Sequence, residues 1–136
     1  MATRSTIAMV LPNGTIQSVY CHWDGYLTGV GHTLAENYNK RKTTQLLANG
    51  DVSSLGDFVG HKHDFSRATK VKSTTFYGRD RGETGIESRN HTTVEEWLKF
   101  RDHVEFFYLL QGKEWWYCDC YDNTELRPIL FGLLEK

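Results

Sequence analysis

The chain has 136 residues, a formal net charge of -1, 39% hydrophobic residues and 13% aromatic residues. That length suits a single domain, 1–136, whose core removes about two-thirds of the unfolded surface from water. The near-neutral charge excludes a global basic field for nucleic acid or an anionic membrane, so strong nucleic-acid binding is not expected and any anion site must be local. No apolar run reaches the roughly 20 residues of a membrane helix, and the amino end MATRSTIAMVLPNG lacks the apolar stretch of a signal peptide. Cys21, Cys118 and Cys120 are odd in number. Without a leader they read as reduced thiols in a cytoplasm.

In chain order, "STIAMVL", the turn "PNG" and "TIQSVYCHW" predict a hairpin. Alternation in the second strand puts Ile16, Ser18, Tyr20 and His22 on one face and Gln17, Val19, Cys21 and Trp23 on the other. Both faces are partly apolar, so the strand should be central. After "DGYLTG", Thr28 is a plausible cap for a helix through "VGHTLAENY", with Val30, Leu34 and Tyr38 at helical spacing. Asn39 caps a second helix, "KRKTTQLLA", which "NGD" stops, with Leu46 and Leu47 inward.

The stretch "VSSLGDFVGHKHDFSRATKVK" reads as a long loop, which is uncommon in a compact domain unless it has a task. "STTFY" is a short strand and "GETGIESRNH" a polar connection. "TVEEWLKFR" predicts a third helix, with Thr93 and Glu96 as a capping box and Val94, Trp97 and Leu98 as its apolar stripe. "HVEFFYLL", "QGK" and "EWWYCDCY" form a second hairpin. Pro128 argues against a central strand in the apolar tail. This order predicts an α+β domain: an antiparallel sheet with about three helices packed on it.

The densest candidate site is "FYGRDRGE". Arg79 and Arg81 suit bidentate contacts to phosphate, Gly78 and Gly82 let backbone approach a ligand, and Phe76 and Tyr77 offer ring faces to a base. Asp80 or Glu83 pairing with the arginines would instead merely organise a turn. In "HKHDFSR", His63 and Arg67, beside Lys62, suit a phosphate contact. His61 and His63 make half a metal site at most, so no metal and no cofactor is expected. In "YCHWDGY", His22 and Asp24 could act as an acid/base pair only if their side chains converge. No nucleophile elbow, Walker loop, zinc-protease motif or CxxC is present, which leaves an enzyme reading without a nominated nucleophile.

"TRSTIA", "YCHWDGY", "NGDVSSLG" and "YGRDRGE", in that order over roughly residues 3 to 83, resemble a family of small phage and prophage proteins. These are similar in turn to the Thoeris anti-defence sponges, which sequester cyclic ADP-ribose-type signals without cutting them. Leu27 departs from the pattern, which expects a proline after the tyrosine. The resemblance implies a non-enzymatic homo-oligomer in the cytoplasm of an infected cell, binding a small nucleotide signal at subunit boundaries. A direct inhibitor of a host nuclease or CRISPR effector is the alternative, using Glu83, Glu87, Glu95 and Glu96 as an acidic surface. A nucleotide hydrolase or cyclase built on His22, Asp24 or His63 ranks third.

Overall fold

The computed structural model describes residues 2–60, 73–99, 103–120 and 125–129. Strands β1 (Ser5–Val10) and β2 (Ile16–Cys21) form the expected first hairpin. Its turn is set by Asn13, whose Oδ1 accepts from the Thr15 amide and hydroxyl, and by Gly14 at φ 87°. The second hairpin pairs β6 (Phe106–Gln111) with β7 (Glu114–Asp119). The two hairpins join because β1 lies parallel to β6, from Ser5 opposite Phe106 to Met9 opposite Leu110. Both strands are apolar on both faces, as interior strands must be.

Four short strands complete an eight-stranded sheet: β3 (Val52–Ser54), β4 (Thr75–Phe76), β5 (Arg89–His91) and β8 (Arg127–Pro128). The order is β4-β3-β2-β1-β6-β7-β8, with β5 also paired to β2. The α+β class is as expected, but the sheet is mixed rather than antiparallel, since β1·β6 and β2·β3 are parallel pairs. Local turn signals reveal only antiparallel neighbours, while these parallel contacts join segments far apart in the chain. Pro128 sits at the sheet margin, where its missing donor is harmless.

One face of the sheet carries Ile7, Met9, Val19, Cys21, Tyr108 and Leu110 beneath α1 (His32–Asn37) and α2 (Lys40–Ala48). Leu34, Leu46 and Leu47 are buried there as their spacing predicts, each worth roughly 1.5–3 kcal/mol. Asn39 caps α2, accepting from the Lys42 amide at 2.9 Å, and Gly50 at φ 80° follows its end. Thr28 does not cap α1: it lies inside a π-helical turn, Leu27–Gly31, that runs directly into that helix.

The other face carries Thr6, Ala8, Ile16, Phe107 and Leu109 beneath α4 (Val94–Trp97) and Val104. Thr93 caps α4 as expected, accepting from the Glu96 amide at 3.1 Å, and the α-helix passes into a 3-10 turn at residues 98–99. Trp97 meets Phe107 edge-on at 5.3 Å and donates its indole N–H to Thr6 Oγ1 at 3.1 Å. The recess described next lies on this face, beside Thr6, Ser18 and Tyr20.

Candidate functional site

"YGRDR" is not a loop but a short helix, α3 (Tyr77–Arg81), closed by Gly82 in the left-handed conformation. Asp80 is buried and its Oδ2 accepts from the Phe76 amide at 2.7 Å, tying the helix to β4. Arg79 grips both carboxylate oxygens of Asp80, at 3.1 and 3.2 Å. Its remaining donors reach the carbonyls of Val59, Gly60 and Thr74, each at 2.9 Å. The guanidinium also covers the Phe76 ring at 4.5 Å from its centroid. Arg79 is thus a clamp between residues 59–60 and 74–76, with its fork filled by the protein itself.

Phe76 is fully buried and belongs to the core rather than to a stacking platform. Gly78 serves close packing, because an added Cβ would stand 2.8 Å from Ile86 Cδ1. Arg81 differs: it is exposed, and its guanidinium lies over the Tyr77 ring at 5.6 Å without an ion pair among the described residues. His63 and Arg67, with Lys62 and the "HKHDF" pair of histidines, lie outside the described residues.

The structure offers a recess of about 360 Å³ on the second face of the sheet, which the sequence reading did not single out. Its origin is an interruption beside β2. β5 pairs with β2 over residues 16–18 and β3 reaches it only at Cys21, so the amide of Tyr20 has no strand partner between them. Asp51 fills the place of the missing strand: its Oδ1 accepts from Tyr20 N–H at 2.9 Å. Arg89 holds that carboxylate through two bonds, 2.9 Å to Oδ1 and 3.1 Å to Oδ2. The hydrogen bond to Asp51 raises the Arg89 pKa further, fixing a permanent positive charge at the wall.

Arg4, at the start of β1, faces Arg89 across the same recess. Its backbone N–H donates to Glu105 Oε2 at 2.7 Å, while its guanidinium makes only a 3.5 Å contact to Oε1. The side chain is 43% exposed, so this guanidinium is loosely held. Thr6, Ser18, Tyr20, Asp51 and His103 line the same recess. Thr6 accepts from Trp97 and so keeps its own hydroxyl proton to donate. Ser18 Oγ lies 2.8 Å from His91 Nε2, a buried pair in which burial lowers the His91 pKa and keeps the ring neutral.

Tyr20 is also the route from the recess to "YCHWDGY". Its hydroxyl lies 2.6 Å from His22 Nδ1, and His22 meets the exposed Trp23 edge-on at 4.8 Å. Burial, with the neighbouring Tyr77, pushes the Tyr20 pKa up to about 12, so the phenol stays protonated at neutral pH. His22 and Asp24 do not converge: Asp24, at φ 57°, meets the Tyr26 hydroxyl at 3.3 Å instead. The Cys21 and Cys118 thiols are both pushed up to about 12 by burial and are poor nucleophiles. Among the described residues no three His, Cys, Asp or Glu side chains gather as metal ligands, and no helix is long and apolar enough to cross a membrane.

Fold and site together define an α+β domain with a small recess on one sheet face, lined by two arginines that each meet a carboxylate. No protein-family model, curated protein or solved structure matches the chain.

Proposed function

We propose that this is a phage-encoded anti-defence protein that binds and sequesters a cyclic nucleotide or cyclic ADP-ribose-type signal without cleaving it. The observation that carries the reading is that Arg4, loosely held and 43% exposed, lines one recess together with Arg89, which is already paired to Asp51, and with the Thr6 hydroxyl. A phosphate seated there would gain charge-assisted hydrogen bonds worth roughly 1.5–3 kcal/mol each. The Tyr20 ring beside the arginines suits contact with a sugar or base. The resemblance of the four blocks to phage and prophage proteins supports, as part of this proposal, a setting in the cytoplasm of an infected cell and a homo-oligomer.

Sequestration asks for affinity without turnover. The test is to incubate the protein with cyclic nucleotides and cyclic ADP-ribose, record native mass spectra, then heat the complex and analyse the released ligand. Intact ligand at stoichiometric yield is the expected result. Products in place of ligand overturn the sponge, and no retained ligand for any probe overturns the binding reading.

A second reading, direct inhibition of a host nuclease or CRISPR effector, draws support from Trp23 and Tyr26, which stand 44% and 43% exposed on one turn. Capture of one such enzyme by the wild-type chain, lost in Trp23→Ala, would favour it over sequestration.

A further inference from the structure

The recess is small and open to solvent, so a ligand larger than one nucleotide would extend past it. At about 360 Å³ it sits near the floor of the ~300–1,000 Å³ range of small-molecule sites. Such a ligand, anchored between Arg4 and Arg89, runs out over the rim, and the neighbouring surface decides which ligands fit.

Strand register identifies that surface. Cys21, Val52 and Phe76 lie side by side across β2, β3 and β4, and all three are buried on the helix-covered face. Their chain neighbours Tyr20, Asp51 and Ser53 alternate to the opposite face, that of the recess, and Tyr77, the first residue of α3, lies near enough to Tyr20 to help raise its pKa. Backbone bonds hold these neighbours together: Tyr77 N–H donates to the Asp51 carbonyl at 3.2 Å, while Tyr20 N–H donates to the Asp51 carboxylate. Tyr77 is half-buried on this shelf, and Arg81 reaches back over its ring, 5.6 Å from the centroid. No hydrogen bond or ion pair holds the Arg81 guanidinium among the described residues. A cation kept beside an aromatic face, with no carboxylate partner, stays available to a guest anion.

We infer that Tyr77 and Arg81 form an outer anion subsite, so that the protein selects ligands bearing two phosphoryl groups separated by a sugar–base unit. One group sits between Arg4 and Arg89, the second at Arg81, and the intervening ring system lies along Tyr20 and Tyr77. This inference rests on the recess being the binding site, and it narrows the ligand class that the recess accepts. It also divides the two arginines of "GRDRG" by role, Arg79 holding the fold and Arg81 meeting the ligand. Glu83, whose amide donates to the Tyr77 carbonyl, brings an opposing charge close enough to act on Tyr77, and its carboxylate weakens the subsite.

The test uses adenosine 5′-monophosphate and adenosine 3′,5′-bisphosphate as probes, with titration calorimetry on the wild type, Arg81→Ala, Arg4→Ala and Glu83→Gln. The bisphosphate should bind the wild type about tenfold tighter than the monophosphate, the equivalent of one charge-assisted contact. Arg81→Ala should erase that advantage and leave monophosphate affinity unchanged, whereas Arg4→Ala should weaken both nucleotides. Glu83→Gln should tighten the bisphosphate alone. Equal affinity of the two nucleotides, or no effect of Arg81→Ala, overturns the outer subsite while leaving the recess intact. Failure of both probes to bind the wild type overturns the recess itself, and the outer subsite with it.

Discussion

Asp51 and Arg89 close a two-point hydrogen bond, 2.9 and 3.1 Å, in the space where β2 changes partners from β5 to β3. The carboxylate also accepts from the Tyr20 amide, so one side chain ends the strand pairing and fixes a guanidinium at the edge of the recess. Asp51→Ala leaves a backbone donor and a half-buried cation without their partner. Removal of one member of a buried pair costs ~3–5 kcal/mol. With Arg89 38% exposed, about 2 kcal/mol is expected in urea denaturation. Arg89→Ala strands the Asp51 carboxylate, only 9% exposed, and should cost a similar amount as well as weaken ligand binding.

The two arginines of "GRDRG" should separate cleanly. Arg79→Ala removes hydrogen bonds to three backbone carbonyls and to buried Asp80, so a loss of roughly 2–4 kcal/mol is expected. Arg81→Ala touches only an exposed ring contact and should stay within about 0.5 kcal/mol of wild type. Thermal melts of the two variants check this. Equal melting temperatures would contradict the clamp assigned to Arg79.

The buried Ser18–His91 pair makes stability depend on acid. Burial lowers the His91 pKa, with Arg89 acting in the same direction and Glu96 opposing it. The unfolded imidazole takes up a proton near its ordinary pKa of about 6.5, whereas the folded one resists until lower pH. The native state is therefore favoured above pH 6.5, and that contribution is lost as pH falls from there towards the folded value. His91→Gln should flatten the melting temperature between pH 7 and pH 5 relative to wild type. An identical slope in the variant would assign the dependence to other groups.

Gly25 fixes the corner after β2. Its amide donates to the Thr3 carbonyl at 2.8 Å, and its own carbonyl accepts from the buried Tyr108 hydroxyl at 2.7 Å. A Cβ there would stand 2.7 Å from the Thr3 oxygen, so Gly25→Ala must displace backbone and should cost at least about 2 kcal/mol. Tyr108→Phe should cost about 1–3 kcal/mol by leaving that carbonyl unpaired. Gly14→Ala is the reference, since an added Cβ there meets nothing within 4 Å and only its φ of 87° resists. Chemical denaturation should rank Gly25→Ala, which drives a Cβ into backbone, above Gly14→Ala, where only the positive φ resists.

Wherever the physics is local, it was legible in the amino-acid order. The Asn13–Gly14 turn, the Asn39 and Thr93 caps, the inward Leu46 and Leu47 and the second hairpin each follow from a few adjacent residues whose backbone bonding or periodicity leaves little choice. Composition further determined that an anion site on this near-neutral chain would have to be a local arrangement. Only the tertiary structure decided which arginines could form it. Arg79 and Arg81 look alike in "GRDRG", yet the carbonyls that fill the fork of Arg79 arrive from residues 59, 60 and 74. Arg4 and Arg89, far apart in the chain and unremarked in their own segments, meet across one recess because β1 and β5 flank opposite edges of β2. Hydrogen bonds act over a few ångströms whatever the sequence separation, so the availability of a charge is settled by what folding brings beside it.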